Sequence, residues 1–228
     1  MAKIKWVGSP NYSSRNGRKI VTIVDHITAG LMPGCLSWMQ NPKAQASAHY
    51  LVTRNGEIYQ LVKEEYAAWH AGAVNKPSWS LYDGTNPNCY TIGIEHEGYP
   101  DEELTEAQYQ ATLWLHRDLI NKYSIPIDTE HIIGHYRIDS VNRPNCPGPK
   151  FPWDRLFNDL RMGAIDVALE KWMIEGGQAA IKDLAAKGLI ANPERWSSEE
   201  ELAKSVPAYL FWIMLSRIVN YKAREVIK

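Results

Sequence analysis

Val24-Asp25-His26-Ile27-Thr28-Ala29-Gly30 closes a run of β-formers, Lys19-Ile20-Val21-Thr22-Ile23-Val24, and ends in small residues. The pattern predicts a buried strand with a histidine at its C-terminal end, where α/β folds gather their chemistry. Farther along, Ile132-Ile133-Gly134-His135 reads as a second short strand ending in histidine. A Pro/Asn-rich loop then leads to Asn145-Cys146-Pro147-Gly148-Pro149. Between the two, Thr91-Ile92-Gly93-Ile94-Glu95 sets a carboxylate at the end of another apolar strand. Two imidazoles and a thiolate form a workable zinc set that leaves a fourth position for water. The expectation is a zinc hydrolase organised around His26.

The bulk numbers suit that reading. With 45% hydrophobic and 22% charged residues, the 228-residue chain has enough apolar material for a real core. A formal net charge of −1 argues against a nucleic-acid partner. No apolar run reaches spanning length, which argues against membrane insertion. The Met1-Ala2-Lys3-Ile4-Lys5-Trp6 start lacks a signal-peptide core, so accumulation in the cytoplasm is expected. Cys35, Cys89 and Cys146 outline no disulfide framework, as suits a reducing compartment.

Residues 1 to 18, rich in Gly, Pro, Asn and Ser, read as an irregular lead-in. Leu31 to Asn41 predicts a short helix stopped by Pro42. Ser47 to Arg54 and Glu57 to Val62 flank Asn55-Gly56, the strongest short-range hairpin signal. Tyr66 to Gly72 leads into a polar loop that runs to Asn88, and Tyr90 to Glu97 is the next strand. Thr105 with Gln108 is a capping-box signature opening a helix that Ser124-Ile125-Pro126 ends. His131 to His135 is a short strand, and Trp153 to Arg161 a short closing helix. Strands alternate with helices, so the fold class is α/β: a mixed central β-sheet flanked by helices. Beyond Gly163 the pattern becomes helical. Ala164 to Leu189 reads as one helix or two broken at Gly176-Gly177, with Gly188 a C-cap. A greasy last helix is expected with Pro207 in its first turn. The expected division is residues 1–162 as catalytic domain and 163–228 as a small all-α module, for wall binding or for pairing into a homodimer.

Each candidate has a plainer alternative. His26 could be a core histidine and Cys146 a buried thiol, and His131 with His135 is a rival ligand pair, since residues four apart on a strand share a face. Glu95 follows a buried-looking stretch and needs a partner or a task; near zinc it would handle a proton. Glu97 reads as a solvated carboxylate on an edge strand. His49 and the Trp69-His70-Ala71-Gly72 segment are candidates to place an imidazole beside the site, or are hydrogen-bonded structural histidines.

Taken in order, these segments resemble the zinc-dependent N-acetylmuramoyl-L-alanine amidases of the peptidoglycan-recognition-protein type, a family of phage endolysins, autolysins and muropeptide-recycling enzymes. Val24-Asp25-His26, Ser47-Ala48-His49-Tyr50, Arg54-Asn55-Gly56-Glu57, Trp69-His70-Ala71-Gly72, Thr91-Ile92-Gly93-Ile94-Glu95, Gly134-His135 and Cys146-Pro147-Gly148-Pro149 carry the likeness, over roughly residues 18 to 158. The resemblance implies zinc on His26, His135 and Cys146, with Glu95 as catalytic carboxylate. It implies cleavage of the amide between N-acetylmuramic acid and L-alanine of bacterial peptidoglycan. His49, Trp69, His70 and Arg143 are candidate substrate contacts. Two positions depart from the family pattern. Pro144 stands where many relatives have a Lys on the oxyanion side, with Arg143 beside it, and Ala48 stands where some have a Tyr. The whole suggests a phage endolysin that waits in the cytoplasm and acts on the wall after membrane disruption. The rivals are a cytoplasmic amidase for anhydro-muropeptides and a peptidoglycan-binding protein without catalysis.

Overall fold

Ile23 and Val24 lie side by side in the chain yet pack into different cores, and that alternation generates the architecture. In the computed structural model, which describes residues 4–163, 171–195 and 197, they sit on β3 (Thr22–Ile27). Successive strand side chains point to opposite faces. Ile23 therefore joins Ile92, Ile94, Leu115 and Leu119 on one face, and Val24 joins Ala71, Tyr90, Ile133 and Ile138 on the other.

The main sheet has six strands in the order β1-β5-β4-β7-β3-β8, with β1 at Ile4–Trp6, β4 at Tyr50–Val52, β5 at Ile58–Gln60, β7 at Thr91–His96 and β8 at Ile132–Gly134. Only the β4–β5 hairpin is antiparallel; β1–β5, β4–β7, β7–β3 and β3–β8 are parallel. The sheet is mixed, as expected. β3 and β7 lie inside it, so their near-continuous apolar runs follow from burial on both faces. A separate antiparallel pair joins β2 (Tyr12–Ser14) to β6 (Tyr66–Ala68). The expected irregular lead-in thus holds two short strands. Three-residue strands paired with distant partners leave no periodicity to read.

At the hairpin, Gly56 takes φ +79° while Asn55 keeps an ordinary φ. The Gly56 amide donates to the Thr53 carbonyl and the Thr53 amide to Glu57, the three-residue loop with a left-handed glycine. The short helix α1 (Gly34–Gln40) precedes Pro42. Helix α2 (Glu106–Tyr123) is capped by Thr105, whose hydroxyl accepts from the Gln108 amide. The Gln108 side chain does not complete the capping box. It is buried and donates to the carbonyls of Val52 and Glu97, tying the helix start to two strand ends. Leu115, His116 and Leu119 of α2 are fully buried against the sheet. Helix α3 (Trp153–Gly163) carries Leu156, Phe157 and Leu160 into a third cluster with Tyr109, Leu113 and Phe151.

Two compact units are present, Met1–Arg161 and Met162–Lys228. In the second, α4 (Lys171–Ala186) runs unbroken through Gly176-Gly177, where a break was one of the alternatives. Gly188 at φ +65° ends it. The Leu189 amide donates to Leu184 and the Gly188 amide to Ala185, a Schellman closure. The last helix, expected with Pro207 in its first turn, lies outside the described residues.

Candidate active site

Parallel pairing delivers the site. His26 of β3 is the register partner of Glu95 on β7, and Asp25 is the partner of Gly134 on β8. His135, one residue past β8, therefore arrives beside His26. Its Nδ1 lies 3.0 Å from His26 Nδ1. The loop after β8 returns Cys146, whose Sγ is 3.8 Å from the same nitrogen. The two imidazoles and the thiol are buried, and their donor atoms all lie within 4.8 Å of one another. With Zn–N about 2.0–2.1 Å and Zn–S about 2.3 Å, a tetrahedral ion needs ligand separations of about 3.3–3.7 Å, and the two measured from His26 Nδ1, 3.0 and 3.8 Å, bracket that range. The donor chemistry fits as well. Glu95 Oε2 is buried without a hydrogen-bond partner, and a metal-bound water would supply one.

Burial dominates the electrostatics of the site. Burial first, then Glu95, pushes the Cys146 thiol up to about 12. Burial, offset in part by Arg143, raises the Glu95 carboxyl to about 7. Burial, then Arg143, lowers His135 to about 4, and burial with the neighbouring rings holds His26 and His70 well below the ordinary value. Neutral imidazoles are what a metal requires, and a divalent cation would reverse the shifts on the thiol and the carboxyl.

These groups form the floor of an open cleft of about 1170 Å³. Trp38, Trp69 and Arg143 stand along its walls, and Trp38 is 60% exposed. Trp69 and Arg143, two of the candidate substrate contacts, line this cleft. His49 does not. It is wholly buried, its Nδ1 accepts from the Gly93 amide, and the Arg15 guanidinium and Tyr66 carbonyl crowd its Nε2. It supports the strand beneath the site and does not line the cleft. His70 borders the cleft, but both its nitrogens are engaged, with His26 and with Thr91. The rival ligand His131 turns away to Asp128, at 2.8 Å. Glu97 is also corrected: it is buried in the bend just past the interior strand β7, and its carboxylate accepts the amides of Met32 and Arg54.

Sequence reasoning missed Asp25 and His116. On the opposite face of β3 from His26, Asp25 meets His116 of α2 at 3.1 Å, and both are fully buried. His96 sits beside them and donates from Nδ1 to the His26 carbonyl. Asp25 next to His26 was the available signal, since an acid inside a buried strand needs a partner.

A mixed sheet whose strand ends and following loop bring together a buried His/His/Cys group able to hold a metal ion, beside a carboxylate in an open cleft, defines a class: a hydrolytic enzyme of α/β architecture. Residues 16–149 match the Amidase_2 family, described as N-acetylmuramoyl-L-alanine amidase, and the chain belongs to that family. N-acetylmuramoyl-L-alanine amidase A of Achromobacter lyticus is 31% identical over 174 residues, 68% of this chain and 90% of that protein. The 1,6-anhydro-N-acetylmuramyl-L-alanine amidase AmpD of Salmonella typhimurium is 40% identical over 112 residues, 49% of this chain and 55% of AmpD. The match therefore spans only about half the length of that relative. Among solved structures, the Escherichia coli amidase AmiD, in complex with the substrate anhydro-N-acetylmuramic acid-L-Ala-D-gamma-Glu-L-Lys, superposes with a TM-score of 0.54 at 28% identity, over 79% of this chain and 74% of AmiD. Among the described residues no helix is long and apolar enough to cross a membrane.

Proposed function

We propose that this chain is a zinc-dependent amidase that hydrolyses the bond between the lactyl group of N-acetylmuramic acid and L-alanine of the peptidoglycan stem. The observation that carries the reading is the convergence of His26, His135 and Cys146 on the face where Glu95 is the register partner of His26, in a chain of the amidase family. Those three residues would hold the ion. When bound, zinc supplies Lewis-acid polarisation of the scissile carbonyl and makes water a nucleophile at neutral pH. Glu95 takes the proton of the attacking water and passes it to the departing alanine nitrogen, the shuttle a carboxylate poised near neutrality performs. Arg143, on the cleft wall, brings positive charge to the side where the oxyanion develops, in place of the lysine that Pro144 displaces. Trp69 offers an apolar wall to the glycopeptide.

The proposed setting is a lytic, endolysin-type enzyme made in the cytoplasm, with residues 1–162 as catalytic domain and 163–228 as a module for wall binding or homodimer formation. The AmpD likeness favours a second reading, action on soluble anhydro-muropeptides. Incubation of the full chain with intact walls, with and without chelator, tests both. New N-terminal alanine without new reducing ends, lost with chelator and restored by zinc, is the expected result. Cleavage of soluble muropeptides alone would select the second reading. Tight wall binding with no cleavage would leave a recognition protein and end the enzymatic proposal.

A further inference from the structure

We infer that His70 presets His26 for the metal: a hydrogen-bond chain from the Pro87 carbonyl through Thr91 and His70 holds the His26 ring in the tautomer whose bare Nδ1 faces His135 and Cys146. The inference rests on the zinc reading above and deepens it.

The direction of every bond in the chain follows from the groups themselves. The Pro87 carbonyl can only accept, so the Thr91 hydroxyl, 2.8 Å away, spends its hydrogen there. Thr91 Oγ1 then has only lone pairs to offer His70 Nε2 at 3.1 Å, and that nitrogen must carry the proton. A neutral imidazole has one N–H, so His70 Nδ1 is an acceptor. It faces His26 Nε2 at 3.0 Å, which must therefore donate. His26 Nδ1 is left with its lone pair, directed at His135 Nδ1 and Cys146 Sγ. A metal-ligating histidine whose other nitrogen donates to a fixed acceptor is oriented and made more basic. Here the fixed acceptor is itself a histidine, and its own tautomer is set by a carbonyl two bonds farther back.

The backbone around His70 is built to hold that ring. A Cβ at Gly93 of β7 would lie 2.4 Å from His70 Cγ, so only glycine lets the imidazole lie against the strand. This accounts for a glycine inside an otherwise apolar strand, where it normally weakens the sheet. Asn88 Oδ1 accepts the amides of His70 and Ala71, at 3.2 and 2.7 Å, and fixes the turn that presents the ring. Thr91 is fully buried, and His26 and His70 nearly so, so bulk water does not compete for these bonds.

The test is zinc affinity of the metal-stripped full chain, read by competition with a chromophoric chelator. Thr91→Val and His70→Gln should each bind zinc about 10–100-fold more weakly, while Thr91→Ser, which keeps the hydroxyl, should match wild type. Wild-type affinity in both Thr91→Val and His70→Gln would overturn the relay. Nitrogen-15 spectra of histidine-labelled, metal-free wild type give an independent readout that needs no variant to fold. His26 and His70 should both be protonated at Nε2, and a His26 protonated at Nδ1 would overturn the proposal. A wild type that takes up no zinc would defeat the metal reading instead, and the tautomer spectrum would still decide whether the relay exists.

Discussion

His26 and Glu95 are register partners on adjacent parallel strands, so the proposed ligand and the proposed proton carrier project from one face of the sheet. Their spacing is set by strand pairing and not by a loop. Glu95→Gln keeps shape and volume but removes the titrating oxygen. It should retain zinc and lose about 10²–10⁴-fold in the rate of alanine N-terminus release. A variant that cleaved at the wild-type rate would take Glu95 out of the mechanism.

Because the Cys146 thiol is pushed up to about 12, zinc must displace its proton. Calorimetric titration at neutral pH in buffers of differing ionisation enthalpy should show release of at least about one proton per zinc bound. Affinity should tighten as pH rises. Cys146→Ala should abolish the thiol proton and weaken binding by more than about 100-fold, beyond the loss of a supporting hydrogen bond. Full zinc occupancy in Cys146→Ala would refute the ligand set.

The Asp25–His116 pair makes a pH-dependent contribution to stability. Burial disfavours a charged His116, but Asp25 at 3.1 Å and the Thr112 carbonyl outweigh it, so the imidazole is held above its ordinary value. Such a group stabilises fully below its unfolded pKa of about 6.5, and the contribution disappears as pH rises through the folded value. In urea unfolding, the gap between wild type and His116→Gln should be wider at pH 6 than at pH 9. An equal gap at both would show that the pair carries no linked proton. Asp25→Ala, which strands the buried imidazolium, should cost about 3–5 kcal/mol.

Gly148, two residues beyond Cys146, takes φ +122°, and a Cβ there would lie 2.1 Å from the Pro100 carbonyl oxygen. Gly148→Ala should lower stability by more than about 1–3 kcal/mol and disturb zinc uptake with it. Gly17, at φ +74° with open space around it, is the control. Gly17→Ala should cost about 1 kcal/mol and leave zinc affinity unchanged. Comparing melting curves and zinc affinities of the two variants separates backbone strain from collision at the metal loop.

Arg143→Ala should lower kcat/KM on soluble muropeptides by about tenfold or more, as expected when a charged donor is withdrawn from a developing oxyanion, with zinc content unchanged. Arg143→Lys should recover only part of the loss, because an ammonium lacks the forked donor geometry. Equal rates for all three proteins would leave Arg143 a rim residue without a role.

Much of this molecule was readable from residue order because it is local. The β-run that ends in His26, the Asn55-Gly56 hairpin, the Thr105 cap and the glycine closing α4 are each written within a few adjacent residues, whose conformational preferences act over the same range. The family likeness reached farther and picked out His26, Glu95, His135 and Cys146 as a set. Which faces meet was beyond both. β1, β2 and β6 are strands only because distant partners complete their hydrogen bonds. Glu97 is buried because the interior strand β7 delivers it to the Met32 and Arg54 amides, and His49 and His131 have other neighbours to satisfy. The Asp25–His116 pair and the chain from Pro87 to His26 join residues far apart in sequence. Parallel pairing brings them together, and burial from water then leaves each polar group only the partner the fold supplies.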